Sequence, residues 1–228
     1  MKFSGLQKTS LIDFPGKISS ILFTPGCNLR CPFCQNWRIA LDQQQGPFLS
    51  EDDALAILES RKKFIDAVVI TGGEPLIHED IPFFLRKLKE RGFSVKLDTN
   101  GFFPQRLKKC LDYVDYVALD VKTSLEKYPM LGAKETEIGN LLETIRMLMG
   151  STVDYEFRNT VVPIIVEEED IVKIGELIEG AKRFAFQQFI PENAPDERFR
   201  KIKPYEPKTI ERFSEIMKKY AREVLLRI

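Results

Sequence analysis

Six short apolar runs, each followed by an amphipathic stretch, constrain this chain more than any other feature. Residues 18–24, 67–71, 93–98, 114–120, 153–162 and 184–190 are rich in β-branched and aromatic side chains and read as strands. Helical periodicity fills residues 50–63, 81–91, 105–111, 137–149 and 171–182, and a last amphipathic segment, 207–226, closes the chain. Ser50, with Asp53 three residues on, is a capping signal, and Gly92 is a stop. Strands alternating with helices, without long linkers, imply a parallel sheet with right-handed crossovers. Six units are too few for a closed eight-stranded barrel and enough for a curved, incomplete one. The expectation is an α/β fold, a partial (β/α)6 barrel, in a single domain over residues 1–228. In such sheets the chemistry lies at the carboxyl ends of the strands, so the residues just after each run matter most.

Composition narrows the function classes. The 228 residues carry 34 Lys and Arg against 34 Asp and Glu, and this balance removes the electrostatic footprint of a dedicated nucleic-acid binder. No run approaches the roughly 18 apolar residues of a membrane-spanning helix, and the first residues lack the apolar centre of a secretion signal. The expected setting is cytoplasmic, with neither membrane nor nucleic acid as partner. A single histidine, His78, rules out a multi-histidine zinc or non-haem iron site.

Three of the four cysteines fall within eight residues, in Gly26-Cys27-Asn28-Leu29-Arg30-Cys31-Pro32-Phe33-Cys34, directly after the first run. Clustered thiols without a secretion signal indicate a metal or cluster site in a reducing compartment rather than a disulfide framework. Structural zinc wants a fourth ligand, usually from a second close pair, and only Cys110 and His78 remain. A [4Fe-4S] cluster held by three thiolates accounts directly for the odd count and leaves one iron open. A zinc loop, and with it a non-catalytic binding module, stays open as the alternative.

The pattern Cys27-x-x-x-Cys31-x-x-Cys34, with Phe33 before the last cysteine, resembles the signature of the radical S-adenosylmethionine (SAM) enzymes. The resemblance implies a [4Fe-4S] cluster whose open iron takes the amino and carboxylate groups of SAM. It also implies reductive cleavage to a 5′-deoxyadenosyl radical, with adenine near Phe33. Thr71-Gly72-Gly73-Glu74-Pro75, after the second run, is similar to the family's turn beside the SAM amino group; paired glycines permit close backbone approach, and a carboxylate can accept from an ammonium.

Leu97-Asp98-Thr99-Asn100-Gly101 and Leu119-Asp120-Val121-Lys122 resemble segments of the glycyl radical enzyme activating enzymes, of which the pyruvate formate-lyase activase is a member. That resemblance places Asp98 near the SAM amino group and Lys122 near its carboxylate, with Asp120 and Thr99 at a monovalent cation site and Asn100 beside them. Asp120 and Lys122, two apart on a strand, share a face; a plain strand-end ion pair is the alternative, as an Asx turn is for Asp98. Arg158 fits the activases' arginine on the fifth strand and would reach SAM, or else is a strand-edge charge. Gln35 and Asn193 stand where those activases commonly have histidine, and amides donate hydrogen bonds without relaying protons.

Residues 8–17, Lys-Thr-Ser-Leu-Ile-Asp-Phe-Pro-Gly-Lys, look like the start of the anaerobic ribonucleoside-triphosphate reductase activating proteins. The implied partner is that glycyl radical enzyme, with an electron donor such as flavodoxin or ferredoxin. A pyruvate formate-lyase type of partner, a small molecule or a peptide is the alternative substrate. Among lesser features, His78 reads as a surface residue leading into a helix, Cys110 as a buried small hydrophobe and Trp37 as packing. Residues 191–207, with Arg198, Arg200, Lys201 and Lys203, read as a solvated loop.

Overall fold

All six predicted runs are strands in the computed structural model, which describes residues 1–41 and 47–228. In chain order, β1 (Lys2–Phe3) and β2 (Gly5–Ser10) lead into β3 (Ser19–Thr24), and α1 (Trp37–Ala40) and β4 (Leu49–Ser50) precede α2 (Glu51–Ser60). Strands and helices then alternate: β5 (Ala67–Gly72), α3 (Ile81–Glu90), β6 (Ser94–Thr99), α4 (Pro104–Cys110), β7 (Tyr116–Asp120), α5 (Ile138–Met149), β8 (Asp154–Val161), α6 (Glu168–Leu177) and β9 (Ala181–Gln188). After the short α7 (Glu197–Arg200), α8 (Pro207–Met217) and β10 (Ala221–Arg227) end the chain. The main sheet runs β10-β9-β8-β7-β6-β5-β3-β2, parallel throughout except for β2, which is antiparallel to β3.

The expected α/β architecture with a parallel sheet is what forms, and the sheet has two more strands than the six expected. β10 replaces the second half of the helix expected over 207–226. Its inward positions Glu223 and Arg227 pair with Arg183 and Glu156, so charge masks the short apolar stretch Val224-Leu225-Leu226. The polar edge strand β2 lacks apolar alternation altogether. The helix expected over 171–182 starts earlier, at a capping box of Glu167 and Asp170, and stops before Gly180 turns the chain at φ +88° into β9.

Alternation sorts the side chains onto two faces. Outward residues such as Leu22, Val68, Leu97, Val117, Phe157 and Phe184 pack under the helices in the main core, where Cys110 also lies fully buried. Inward at the amino ends of the strands, Phe14 stacks at 6.1 Å from Tyr116 over Ile21, Ala67 and Val69, so the segment before β3 plugs the floor. The sheet does not close, since β10 and β2 are both edges. Residues from both ends of the sheet nonetheless line one cavity of 1070 Å³, Ile12 beyond β2 and Arg227 of β10 among them, so the sheet curls around it as a partial barrel. No helix among the described residues is long and apolar enough to cross a membrane.

The return into β10 depends on a close approach: Gly175 in α6 lies against the ring of Tyr220, where any added methyl would overlap ring carbons. Helix propensity favours alanine over glycine by about 1 kcal/mol, whereas overpacking costs about 1–3 kcal/mol. Gly175→Ala is therefore expected to lower the urea midpoint at unchanged slope, and a raised midpoint would contradict this packing.

Candidate active site at the strand ends

The cysteine loop is fastened to the sheet by backbone rather than by side chains. Gly73 N–H donates to the Thr24 carbonyl (2.9 Å) and Glu74 N–H to the Gly26 carbonyl (2.8 Å). A side chain at Gly73 would overlap the Gly26 carbonyl, and Gly72, at φ +116°, presses on Thr24. The two glycines thus let the turn after β5 lie against the loop after β3. His78 adds a tether, its Nε2 lying 2.9 Å from the Pro25 carbonyl oxygen; it is half-buried against the loop rather than a free surface residue. Arg30 N–H donates to the Leu131 carbonyl at 2.7 Å, which holds the loop from the other side.

Cys27, Cys31 and Cys34 all line the cavity, together with Phe33, Gln35, Gly72, Gly73, Glu74, Asp98, Thr99, Asn100, Asp120, Lys122 and Arg158. Fourteen of the fifteen residues singled out in the sequence therefore meet in one place. Asn193 does not: it is exposed and lines a second cavity of 850 Å³, on the far side of Gln35, Asn36 and Trp37. The two cavities share Gln35, Asn36 and Trp37 as a common wall. The segment expected as a solvated loop also differs. Its Phe199 is buried and stacks 6.4 Å from Phe33, and Asp196 N–H reaches the Pro32 carbonyl at 3.4 Å, so α7 covers the cysteine loop.

Charges inside the barrel form an alternating ladder. Lys96 donates to Asp98 (2.6 Å), Arg158 bridges Asp98 (3.1 Å) and Asp120 (2.8 Å), and Lys122 donates to Asp120 (3.2 Å). Burial alone would raise the Asp120 carboxyl, but Arg158 and Lys122 outweigh it and hold the group down at about 2. Burial would likewise discharge Arg158 and Lys122, and the facing carboxylates instead keep both firmly protonated. A second set lies beside it: Arg227 grips Glu156 through two bonds (2.9 and 2.6 Å), Tyr116 donates to Glu156, and Arg183 joins Tyr116 to Glu223. The sequence reading missed Lys96, Glu156, Arg183, Glu223 and Arg227. The available signal was charge recurring at period two within otherwise apolar strands. Buried ion pairs add little net stability over apolar packing of the same volume, and barrel interiors are ordinarily filled with branched aliphatics, so this ladder points to ligand handling.

Two expectations change with the geometry. Glu74 is buried and accepts from three donors, Leu76 N–H (3.0 Å), the Thr99 hydroxyl (2.8 Å) and Asn100 N–H (2.7 Å). Its carboxylate braces β5 to β6 and is not free to meet an ammonium; the glycine turn offers backbone carbonyls instead. The expected monovalent cation site also lacks support, because Thr99 is spent on Glu74 and both Asp120 oxygens are matched by cations. Asn100 Nδ2 donates to Asn28 (2.7 Å) and lies 3.7 Å from the Cys27 sulfur, which ties the end of β6 to the first cysteine.

The donor set suits a cluster. Three thiols from one loop face one cavity while Cys110 is sequestered in the core, leaving no fourth thiol. Among the described residues no three or more His, Cys, Asp or Glu side chains are arranged to hold a metal ion. A cubane takes each thiolate at a separate corner and leaves one iron open to a further ligand. Burial raises the Cys27 thiol to about 11, with Glu74 adding to it, and burial raises Cys31 to about 12.

A family model of the radical SAM superfamily matches residues 21–178. This chain belongs to the radical SAM superfamily. The matched range includes the cysteine loop. Within radical SAM proteins it is 36% identical over 231 aligned residues to the Methanocaldococcus jannaschii "putative glycyl-radical enzyme activating enzyme", covering 98% of this chain and 95% of that one. It is 26% identical over 201 residues to the pyruvate formate-lyase-activating enzyme of Clostridium pasteurianum, covering 83% and 81%. Among solved structures, Streptococcus suis SuiB bound to precursor peptide SuiA superposes with a TM-score of 0.69 at 17% identity, a likeness of radical SAM fold alone. It covers 90% of this chain, which spans about half of SuiB, 47%.

Two outcomes test the geometry. Arg158→Ala leaves Asp98 and Asp120 facing each other without their shared cation, and is expected to cost about 3 kcal/mol of unfolding free energy and to abolish SAM binding by calorimetry. Burial also raises the Glu74 carboxyl from 4.5 to about 7, against the pull of its three donors. The folded state therefore holds this proton more tightly than the unfolded chain. The associated stability is complete below about pH 4.5 and is lost as the pH rises through 7. Glu74→Gln should flatten that decline in thermal melts between pH 5 and 8, and an unchanged slope would contradict it.

Proposed function

We propose that this chain is an activase: one radical SAM domain that installs a glycyl radical on a partner enzyme, an anaerobic ribonucleoside-triphosphate reductase. The observation that carries the reading is one laterally open cavity holding three cysteines at its rim and a ladder of opposed charges below. Relationship to activating enzymes over nearly the whole chain supports it. The opening segment, whose Phe14 plugs the barrel floor, favours the reductase over pyruvate formate-lyase as partner, because it resembles the start of reductase activating proteins.

Cys27, Cys31 and Cys34 would hold the [4Fe-4S] cluster. When bound, the cluster and SAM supply reductive carbon–sulfur cleavage and a 5′-deoxyadenosyl radical that takes a hydrogen atom from a partner glycine, the electron coming from a flavodoxin or ferredoxin. The carbonyls of the Gly72-Gly73-Glu74 turn, with Asp98, would receive the SAM ammonium, and Lys122 and Arg158 its carboxylate. Phe33, held by Phe199, would lie against adenine, and Gln35 and Asn100 would fix the loop beside it. Exclusion of water falls to the aromatic lining and to α7, which matter for so reactive a species.

Anaerobic reconstitution with iron and sulfide, then reduction with SAM and the candidate partner, tests the reading. The expected result is broad visible cluster absorption, 5′-deoxyadenosine, and a glycyl radical on the reductase by electron paramagnetic resonance. Cys31→Ala should lose all three while its melting temperature holds. Tight zinc binding without cluster absorption would overturn the radical chemistry. SAM consumption without a radical on either the reductase or pyruvate formate-lyase would overturn the activase assignment.

A further inference from the structure

The two edges of the sheet flank the cavity, and one of them is long enough to take a further strand. β10 pairs only with β9. Soluble proteins blunt such edges with proline, bulges or very short strands, because free N–H and C=O groups recruit other chains. β10 is seven residues long and lacks proline; Arg222, Glu223 and Arg227 bring charge to it, and Val224-Leu225-Leu226 lies at its centre. Its carboxyl end, Arg227 and Ile228, lines the same cavity as the cysteines, as does Ile12 from beyond the opposite edge. Ile12 and Ile228 are well exposed, so apolar side chains border the gap from both sides.

The chemistry of the gap selects the occupant. The interior cations lining it, Lys122, Arg158 and Arg227, are each already paired with a carboxylate. Neutral groups with unspent hydrogen-bonding capacity lie beside them. Thr160 and Gln187, cross-strand neighbours on β8 and β9, form no side-chain hydrogen bond among the described residues. Gln188 donates to the Tyr205 carbonyl, but its Oε1 is buried without a partner. Hydroxyl, amide and open strand edge together match the alternating donors and acceptors of a peptide main chain.

We propose that an extended, glycine-bearing segment of the protein substrate enters between β2 and β10 and pairs with the free edge of β10 as an added strand. The inference rests on the activase reading and deepens it. Pairing along β10 carries the segment toward Arg227 and so to the level of the cysteine loop. It fixes the depth of a glycine by backbone register, without requiring side-chain recognition of a residue that has no side chain.

Leu225→Pro and Leu226→Pro, made separately, test this. Adjacent residues of an edge strand aim their N–H groups to opposite sides, so one proline breaks a bond to β9 and the other removes only an outward donor. In the variant that keeps the wild-type melting temperature, dithionite-driven SAM cleavage is expected to equal wild type, while the glycyl radical yield on the purified reductase or pyruvate formate-lyase falls at least tenfold. Undiminished radical yield in that variant overturns the added strand and leaves the activase reading standing. A wild-type protein that cleaves SAM but installs no radical on either partner overturns both. Should both prolines unfold the chain, amide hydrogen exchange on the wild type decides. Binding the partner slows exchange across residues 221–227 at least tenfold if the strand forms. Unchanged exchange in the complex overturns it, as does protection in the free protein that grows with concentration, which would mean pairing between two copies.

Discussion

The functional end of the molecule depends on a backbone interlock, in which the turn after β5 reaches under the loop after β3 with two N–H groups. Neither bond needs a side chain, yet both need the absence of one. Gly72 and Gly73 bring the two loops within hydrogen-bonding range, and any substituent would push the cysteine loop off the sheet. From that contact outward, the order of parts follows: Glu74 is placed to brace Thr99 and Asn100, and Asn100 in turn reaches Asn28 and Cys27. Three strand ends are thereby held in fixed relation by chain geometry before any cofactor arrives.

This changes the meaning of the Gly-Gly-Glu-Pro motif. Read from the sequence, its acid is an acceptor for an ammonium and its glycines permit close backbone approach. In the structure the glycines make room for another stretch of backbone, and the acid is a buried internal acceptor. Its three donors are worth about 1–3 kcal/mol each to a charged group, against a burial cost of several kcal/mol for the ion. The contest explains why its proton affinity is raised although three donors face it.

Much of the fold was legible because the strands that form the sheet's centre are buried on their outer faces and read as apolar runs. The cysteines, the glycine turn and the acids at the strand ends were legible because they cluster in short motifs. What stayed hidden shares one physical cause: pairing across strands, which sequence separation conceals. Glu156 and Arg227 are 71 residues apart, and each taken alone is an ordinary surface charge. β10 was hidden with them, since its inward face carries the charges that complete those pairs. Phe199 was masked by the basic residues around it, although its ring stacks on Phe33. Asn193, named from its motif, lines the neighbouring cavity beyond Gln35, Asn36 and Trp37.

The ladder of alternating charges has a consequence for how a ligand arrives. Because three cations share two carboxylates, the fields of Lys96, Asp98, Arg158, Asp120 and Lys122 cancel down to a single positive charge beyond a few ångströms. Such a cavity exerts little long-range pull, so capture of a zwitterion is governed by diffusion and fit, with rates that depend weakly on ionic strength. Selectivity then resides at short range, where only a molecule bearing both signs of charge at the right separation replaces the internal pairs without leaving one exposed.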